Sequence, residues 1–196
     1  NDDKEGALES YSKLTALLPK SAPAQMRLAS VHMALRNPDA AAADLKKAVA
    51  IDPSFLEAQL ALAELLVRGG KADEAIAMAR QIQKQRPKEP AGFLLEGSVL
   101  QSQGKDALAV GPYEQALALS GGPLVQTKLH SALTRAGKTK DADTRLAQWR
   151  KQAPGDMQLA MYVADMMLAN KQYKEAIVEL ELMLVKAPNN PVLLNN

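Results

Sequence analysis

The chain has 196 residues, with 24 Lys and Arg against 22 Asp and Glu, 4% aromatic residues and no cysteine. So few aromatic residues and only 11 glycines disfavour a β-sandwich or barrel. The absence of cysteine excludes disulfides, thiolate nucleophiles and cysteine-ligated zinc. A net charge of +2 is too small to indicate a nucleic-acid-binding surface, and the short apolar runs cannot span a bilayer.

A repeating pattern runs along the whole chain. Segments ending in proline, often as Ala-Pro or Asp-Pro, return at a period of about 34 residues, marked by Pro19, Pro53, Pro87, Pro154 and Pro188. Between these prolines, apolar residues at helical spacing predict two amphipathic helices per unit. The turn between the two helices often carries glycine followed by lysine, at Gly69-Gly70-Lys71, Gly104-Lys105 and Gly137-Lys138.

This period divides the chain into helix-turn-helix units. The predicted units are 22–55, 56–89, 90–122, 123–156 and 157–190, preceded by a half unit over 1–21 and followed by the start of another over 191–196. We therefore expect residues 1–196 to be one array that is cut inside a repeat at both ends, as part of a longer protein. Helices left unpaired at cut ends expose apolar faces, so end-to-end self-association at high concentration is also expected.

Two positions of the unit carry small residues, as a close helix crossing requires. One lies early in the second helix and is alanine in every copy: Ala7, Ala41, Ala75, Ala109, Ala142 and Ala176. The other lies in the first helix and is small in four copies: Ala29, Ala63, Gly97 and Ala164. The fourth unit has His130 in that place.

These residues resemble the tetratricopeptide repeat (TPR), a resemblance that covers essentially the whole chain. The unit 56–89 shows the family pattern at Leu62, Ala63, Leu66, Gly70, Ala75, Ala79, Ile82 and Pro87. The resemblance implies an all-α fold, a right-handed α-solenoid of helix-turn-helix units. It further implies a non-catalytic scaffold whose first helices line a concave groove for a peptide or protein partner.

The positions that face the groove in the family can be read from this sequence. They are Met26, Arg27, Ser30, Met33, Glu57, Leu60, Glu64, Leu94, Ser98, Gln101, Thr127, Lys128, Ser131, Arg135, Met161, Tyr162 and Asp165. Methionine and leucine alternate there with hydroxyls and with charges of both signs. Such a surface suits a peptide with apolar anchors.

A second, narrower resemblance concerns the last third of the chain. It rests on Leu129-His130, Ala142-Asp143, Trp149, Tyr162, Ala164, Tyr173, Ala176-Ile177, Asn189-Asn190-Pro191 and Leu194-Asn195-Asn196. This run is similar to the TPR lipoproteins of bacterial PEP-CTERM/exosortase systems, which accompany exopolysaccharide production. The resemblance implies a role in envelope protein sorting or exopolysaccharide export, in the periplasm or at the outer membrane, with a lipid anchor outside this sequence. A cytoplasmic location is the alternative.

A rival function is direct contact with the polysaccharide, for which Trp149 could serve as a stacking platform. Against it, only 4% of the residues are aromatic, and an indole within a helix pair normally buries itself. We therefore expect Trp149 to fill space in the interior. Glu96 stands where the family usually has leucine, and we expect its carboxylate to tilt to the rim and stay solvated.

No catalytic, metal or cofactor site is predicted. The motif Gly137-Lys138-Thr139 lacks the first glycine of a phosphate-binding loop, and neither His32 nor His130 has the companions of a metal site. Both histidines are therefore expected to pack. Pro112 predicts a tolerated kink within a helix, and Met166, Met167 and Met183 are expected in the core.

Overall fold

The computed structural model describes residues 3–120 and 122–186. In these residues the chain is all-helical, as the sequence predicts, and forms two compact units divided after Ser120. Unit 1 contains α1 (Lys4–Leu17), α2 (Ala22–Ala34), α3 (Pro38–Ile51), α4 (Leu56–Arg68), α5 (Ala72–Gln85), α6 (Ala91–Ser102) and α7 (Asp106–Leu119). Unit 2 contains α8 (Pro123–Arg135), α9 (Thr139–Gln152), α10 (Met157–Ala169) and α11 (Tyr173–Lys186).

The helices alternate between the first and second members of helix-turn-helix pairs. Each of α2, α4, α6, α8 and α10 begins within one residue of a predicted unit, and each packs against the helix that follows it. None of the helices in the described ranges is long and apolar enough to cross a membrane. The side chain of Met183 and all of residues 187–196 lie outside the described structure. The predicted core position of Met183 and the predicted start of the next repeat over 191–196 therefore also lie outside it.

The turns inside the pairs share one backbone conformation. Gly70, Gly104 and Gly137 adopt φ of 75°, 70° and 76°, the left-handed region that glycine enters without steric cost. In each case the next amide donates back to a carbonyl of the last helical turn, as Lys71 N does to Leu66 O at 2.7 Å. This is the Schellman arrangement that ends helices, so the assignment of these glycines to turns is confirmed.

The same turn also occurs without glycine. Arg36 and Lys171 have φ of 58° and 61°, and the bonds that follow them, Asn37 N to His32 O and Gln172 N to Met167 O, are equivalent. A left-handed conformation costs an L-residue roughly 1 to 2 kcal/mol. Packing of the helix pair therefore imposes the turn even where the sequence carries no glycine.

The small residues lie at helix crossings. Ala41, Ala75, Ala109 and Ala176 are fully buried and Ala142 nearly so, whereas Ala7 is half-buried. In the third pair, a Cβ added at Gly97 would stand 2.6 Å from the ring of Tyr113. The smallest residue of the first helix thus makes room for a completely buried tyrosine on the second.

The predictions for three residues, Glu96, Met166 and Met167, need correction. Glu96 does not tilt to the rim: it is 8% exposed, and it accepts hydrogen bonds from Arg80 Nε at 2.9 Å and Gln83 Nε2 at 2.6 Å. Burial is tolerated because both carboxylate oxygens find donors. Met166 and Met167 are only half-buried rather than in the core. By contrast, α7 continues through Pro112 as one helix.

Candidate partner-binding surfaces

All of the predicted groove residues lie on the first helices of the pairs, on α2, α4 and α6 in unit 1 and on α8 and α10 in unit 2. None of them is fully buried. The exposed ones are Arg27, Ser30, Glu57, Glu64, Arg135 and Asp165. The half-buried ones are Met26, Met33, Leu60, Leu94, Ser98, Gln101, Thr127, Lys128, Ser131, Met161 and Tyr162. Their assignment to one groove stays a prediction, and each unit is considered separately.

In unit 1, apolar groove positions rest on the core and remain partly open to solvent. Met26 and Met33 of α2 pack against the buried cluster that contains Ala29 and Leu62. Leu60 and Leu94 are half-buried on α4 and α6. Half-buried methionine and leucine can contact a partner without first leaving the core, and methionine adapts its shape to different partners.

The polar residues of α6 are held by a buried tyrosine. Tyr113 of α7 contacts Ser98 Oγ at 3.3 Å and Gln101 Oε1 at 3.0 Å through its hydroxyl. Burial raises the pKa of Tyr113, an effect that its hydrogen bond with Ser98 partly opposes. The hydroxyl is therefore protonated at neutral pH and fixes the orientation of two predicted contact residues. Sequence reasoning assigned Ser98 and Gln101 but missed Tyr113, which sits on the second helix.

Charges of both signs border this surface. Glu64 pairs with Arg68 one turn later on α4, while Arg27 and Glu57 are exposed on neighbouring first helices. Exposed ion pairs contribute little to stability. These side chains therefore remain available for a partner without a large cost to the fold.

In unit 2, one predicted contact residue is tied to a buried histidine. Tyr162 Oη of α10 lies 2.8 Å from His130 Nδ1 of α8, and the rings meet edge to face with centroids 5.5 Å apart. Burial lowers the pKa of His130, and the Asp143 carboxylate opposes this effect. The neutral imidazole and the tyrosine hydroxyl share this hydrogen bond, and the imidazole tautomer decides which of them donates. The expectation that His130 packs in the interior is confirmed.

Trp149 is 3% exposed and packs with Leu159 and Val163. Its Nε1 donates to Asp156 Oδ2 at 3.3 Å, so its polar atom is also satisfied within unit 2. A ring sealed in this way cannot stack on a sugar. The interpretation of Trp149 as interior filler is confirmed, and the direct polysaccharide role loses its candidate platform.

Clefts at junctions between consecutive pairs were not foreseen from the sequence. One of about 260 Å³ lies between α9 and α10, lined by Leu146, Val163, Met166 and Met167 among others. Another of about 180 Å³ lies between α3 and α4, lined by Ala42, Leu65 and Leu66 with Lys46 and Asp39. The sequence signal that could have indicated the α9–α10 cleft was the adjacent pair Met166 and Met167, whose side chains are only partly buried in the interior. Within residues 3–120 and 122–186, no three His, Asp or Glu side chains are placed to hold a metal ion.

Known structures share this architecture at low sequence identity. PilW, a type IV pilus biogenesis factor, superposes with a TM-score of 0.69 at 19% identity over 98% of this chain and 90% of PilW. YrrB, described as a TPR protein with an unusual peptide-binding site, gives 0.58 at 18% over 96% and 98%. MamA gives 0.66 at 20% over 78% and 84%. No curated protein has a significant sequence match.

Family models identify the repeats directly. One tetratricopeptide repeat model matches residues 32–97, and a second matches residues 1–54 and 130–191. Together with the helical pairs, their turns and the similar structures, these matches confirm the predicted α-solenoid class. The chain belongs to the tetratricopeptide repeat family.

Proposed function

We propose that this chain is a non-catalytic scaffold that binds a peptide or protein partner along the first helices of its repeats. The observation that carries the proposal is the half-buried state of Met26, Met33, Leu60, Leu94 and Met161. These side chains combine partial burial with an open face, as anchor sites for a partner do. The peptide-binding site named for YrrB supports the same use of this fold.

Magnitudes limit the affinity to be expected. Each apolar side chain that a partner buries contributes about 1.5 to 3 kcal/mol, whereas association costs about 4 to 15 kcal/mol. A partner that engages a single helix pair therefore binds weakly. Micromolar binding requires contacts along several first helices.

A groove variant with a matched control tests this function. Peptides selected from a displayed random library on the wild-type chain are titrated by calorimetry against Leu94→Glu, Met161→Glu and Leu108→Glu. Leu108 is 63% exposed on α7, a second helix, and so controls for the same chemical change outside the groove. We expect Leu94→Glu or Met161→Glu to weaken binding at least about tenfold through loss of an apolar anchor, and Leu108→Glu to leave it unchanged.

Circular dichroism and urea unfolding establish that each variant is folded. Selected peptides that bind Leu94→Glu and Met161→Glu as tightly as the wild type would contradict the groove proposal. The groove proposal would also be contradicted if the library yielded no peptide and both variants bound a natural partner with the affinity of the wild-type chain.

We also propose that the scaffold acts in the bacterial envelope, in protein sorting or exopolysaccharide export. The support is the resemblance of the last third to exosortase-associated lipoproteins, together with the pilus biogenesis role named for PilW. Fractionation of cells that produce the natural protein tests the location. Recovery with the periplasm or membranes is expected, and recovery in the cytoplasm alone would contradict it.

A further inference from the structure

The cleft between α9 and α10 shares no residue with the predicted groove. Its floor is apolar, formed by Leu146 of α9 and by Val163, Met166 and Met167 of α10. At about 260 Å³ it exceeds the volume of one large side chain, and the two methionines can adapt to a guest. The cleft is therefore large enough to accept a single extended side chain from a partner.

Two charged residues on α9 line this cleft, and their situations differ. The guanidinium of Arg150 pairs with Glu179 of α11 at 2.8 Å, so its charge is already balanced. Asp143 is exposed, and within the described residues its carboxylate takes part in no ion pair or hydrogen bond. Its charge also acts on His130, which burial keeps predominantly neutral at neutral pH.

We propose that the α9–α10 cleft binds the side chain of a lysine or arginine from a protein partner. The aliphatic stem would lie on Leu146, Met166 and Met167, and the cationic tip would reach the Asp143 carboxylate. The apolar floor matches the aliphatic stem of lysine or arginine, and the Asp143 carboxylate matches the positive charge at its tip. A purely aliphatic side chain would leave Asp143 unused, and an acidic one would be repelled.

The α3–α4 cleft serves as an internal comparison. It occupies the same place in the repeat and also has an apolar floor, formed by Ala42, Leu65 and Leu66. Its lining, however, carries Lys46, Arg68 and Lys71 against the single acid Asp39, so positive charge predominates there. We therefore expect it not to prefer a cationic side chain.

Methyl NMR on the full chain tests the proposal at both clefts. Labelling with [¹³C]methyl methionine gives eight signals, of which Met166 and Met167 report on the α9–α10 cleft. Three capped tripeptides are titrated, Ac-Gly-X-Gly-amide with X as lysine, norleucine or glutamate. Norleucine has nearly the same apolar stem as lysine but no charge, so the comparison isolates the cation.

The expected result is a shift of the Met166 and Met167 methyls, with the lysine peptide binding about two- to fivefold more tightly than the norleucine peptide. Binding of one side chain is weak, roughly millimolar. Asp143→Asn should abolish the preference for lysine while norleucine still binds. Asp141→Asn, an exposed acid on the same helix outside the lining, should leave the preference intact.

A second variant tests the floor independently of charge. Ala147 lines the cleft, so Ala147→Leu should narrow it and weaken lysine and norleucine peptides alike. The proposal is overturned if norleucine or glutamate binds as well as lysine, if Asp143→Asn keeps the preference, or if neither Met166 nor Met167 responds. Because the groove variants leave this cleft intact, the groove and the cleft can fail separately.

Discussion

The α5–α6 junction of unit 1 and the α9–α10 junction of unit 2 occupy the same place in the repeat but pack differently. A Cβ added at Gly92 of α6 would stand 2.8 Å from Gln83 N and 2.9 Å from Ala79 O, so α6 lies against the backbone of α5. The equivalent position of α10 is Leu159, which packs with Trp149. The backbones of α9 and α10 accordingly stay farther apart than those of α5 and α6.

The closer junction has glycine at this position, and the wider one has Leu159 packed with Trp149. Interaxial distances follow the side chains at the contact, and the bulky pair Trp149 and Leu159 holds its helices apart at one point. The α9–α10 cleft lies beside this large pair, and the small residue Ala147 is part of its lining.

The largest expected effect comes from removing the spacer in unit 2. Leu159→Ala should lower the free energy of unfolding by about 2 to 5 kcal/mol, because Leu159 is 3% exposed and its loss leaves a cavity. Urea denaturation measures the change. Leu168→Ala, at a 40% exposed position of the same helix, should change it by less than about 0.5 kcal/mol. Equal effects of the two variants would show that α10 does not pack as described.

A smaller effect should follow from forcing the unit 1 junction apart. Gly92→Ala places a methyl group against the backbone of α5 and should cost about 1 to 3 kcal/mol through overpacking. The control is Gly155→Ala, where an added Cβ meets nothing within 4 Å, and urea unfolding should show it unchanged or slightly stabilised. If Gly92→Ala left the free energy of unfolding unchanged, close contact between the helix backbones would not distinguish the α5–α6 junction from the α9–α10 junction.

The turns sharpen the comparison, because each unit builds the same turn both with glycine and without it. Lys171→Gly should raise the free energy of unfolding by up to about 1 kcal/mol, since glycine adopts φ of 61° without strain. Gly104→Ala should lower it by a similar amount. Thermal and urea unfolding measure both. Destabilisation by Lys171→Gly would indicate that the lysine side chain supports the turn.

The smallest effect is a dependence of unit 2 on pH. Burial lowers the pKa of His130 below its ordinary value of 6.5, so the unfolded chain binds the proton more readily. Stability should therefore fall as the pH drops below about 6.5 toward the folded pKa. Asp143→Asn removes the charge that raises the pKa of His130 and should steepen this loss. His130→Asn should flatten it, and urea midpoints between pH 7 and 5 provide the measurement.

The sequence allowed the repeat to be read almost completely. Alanine at the crossing, glycine in three turns and proline near the end of four of the five full units are local requirements that produce the period. Helix starts such as Ala22, Leu56 and Met157 agree with that period to within a residue. The burial of Trp149 and His130 followed from the same reasoning, because large apolar surfaces inside a helix pair leave water.

Other features depended on contacts between residues far apart in the chain. Glu96 is buried because Arg80 and Gln83 of the preceding helix supply donors to both carboxylate oxygens. Arg36 and Lys171 take a glycine-like conformation because packing of the helix pair outweighs the local cost. The local sequence predicts neither the burial of Glu96 nor the left-handed conformation of Arg36 and Lys171.

For this protein, the sequence alone determined the family, the helical pairs and the set of first-helix residues from which a partner surface can be built. Only the tertiary structure decided how tightly each junction closes, and hence that a cleft lies beside Asp143 in unit 2. Periodicity reports which side of a helix turns inward, since that requirement recurs in every unit. The volume left at a junction depends on the combined sizes of side chains from several helices, which no single segment specifies.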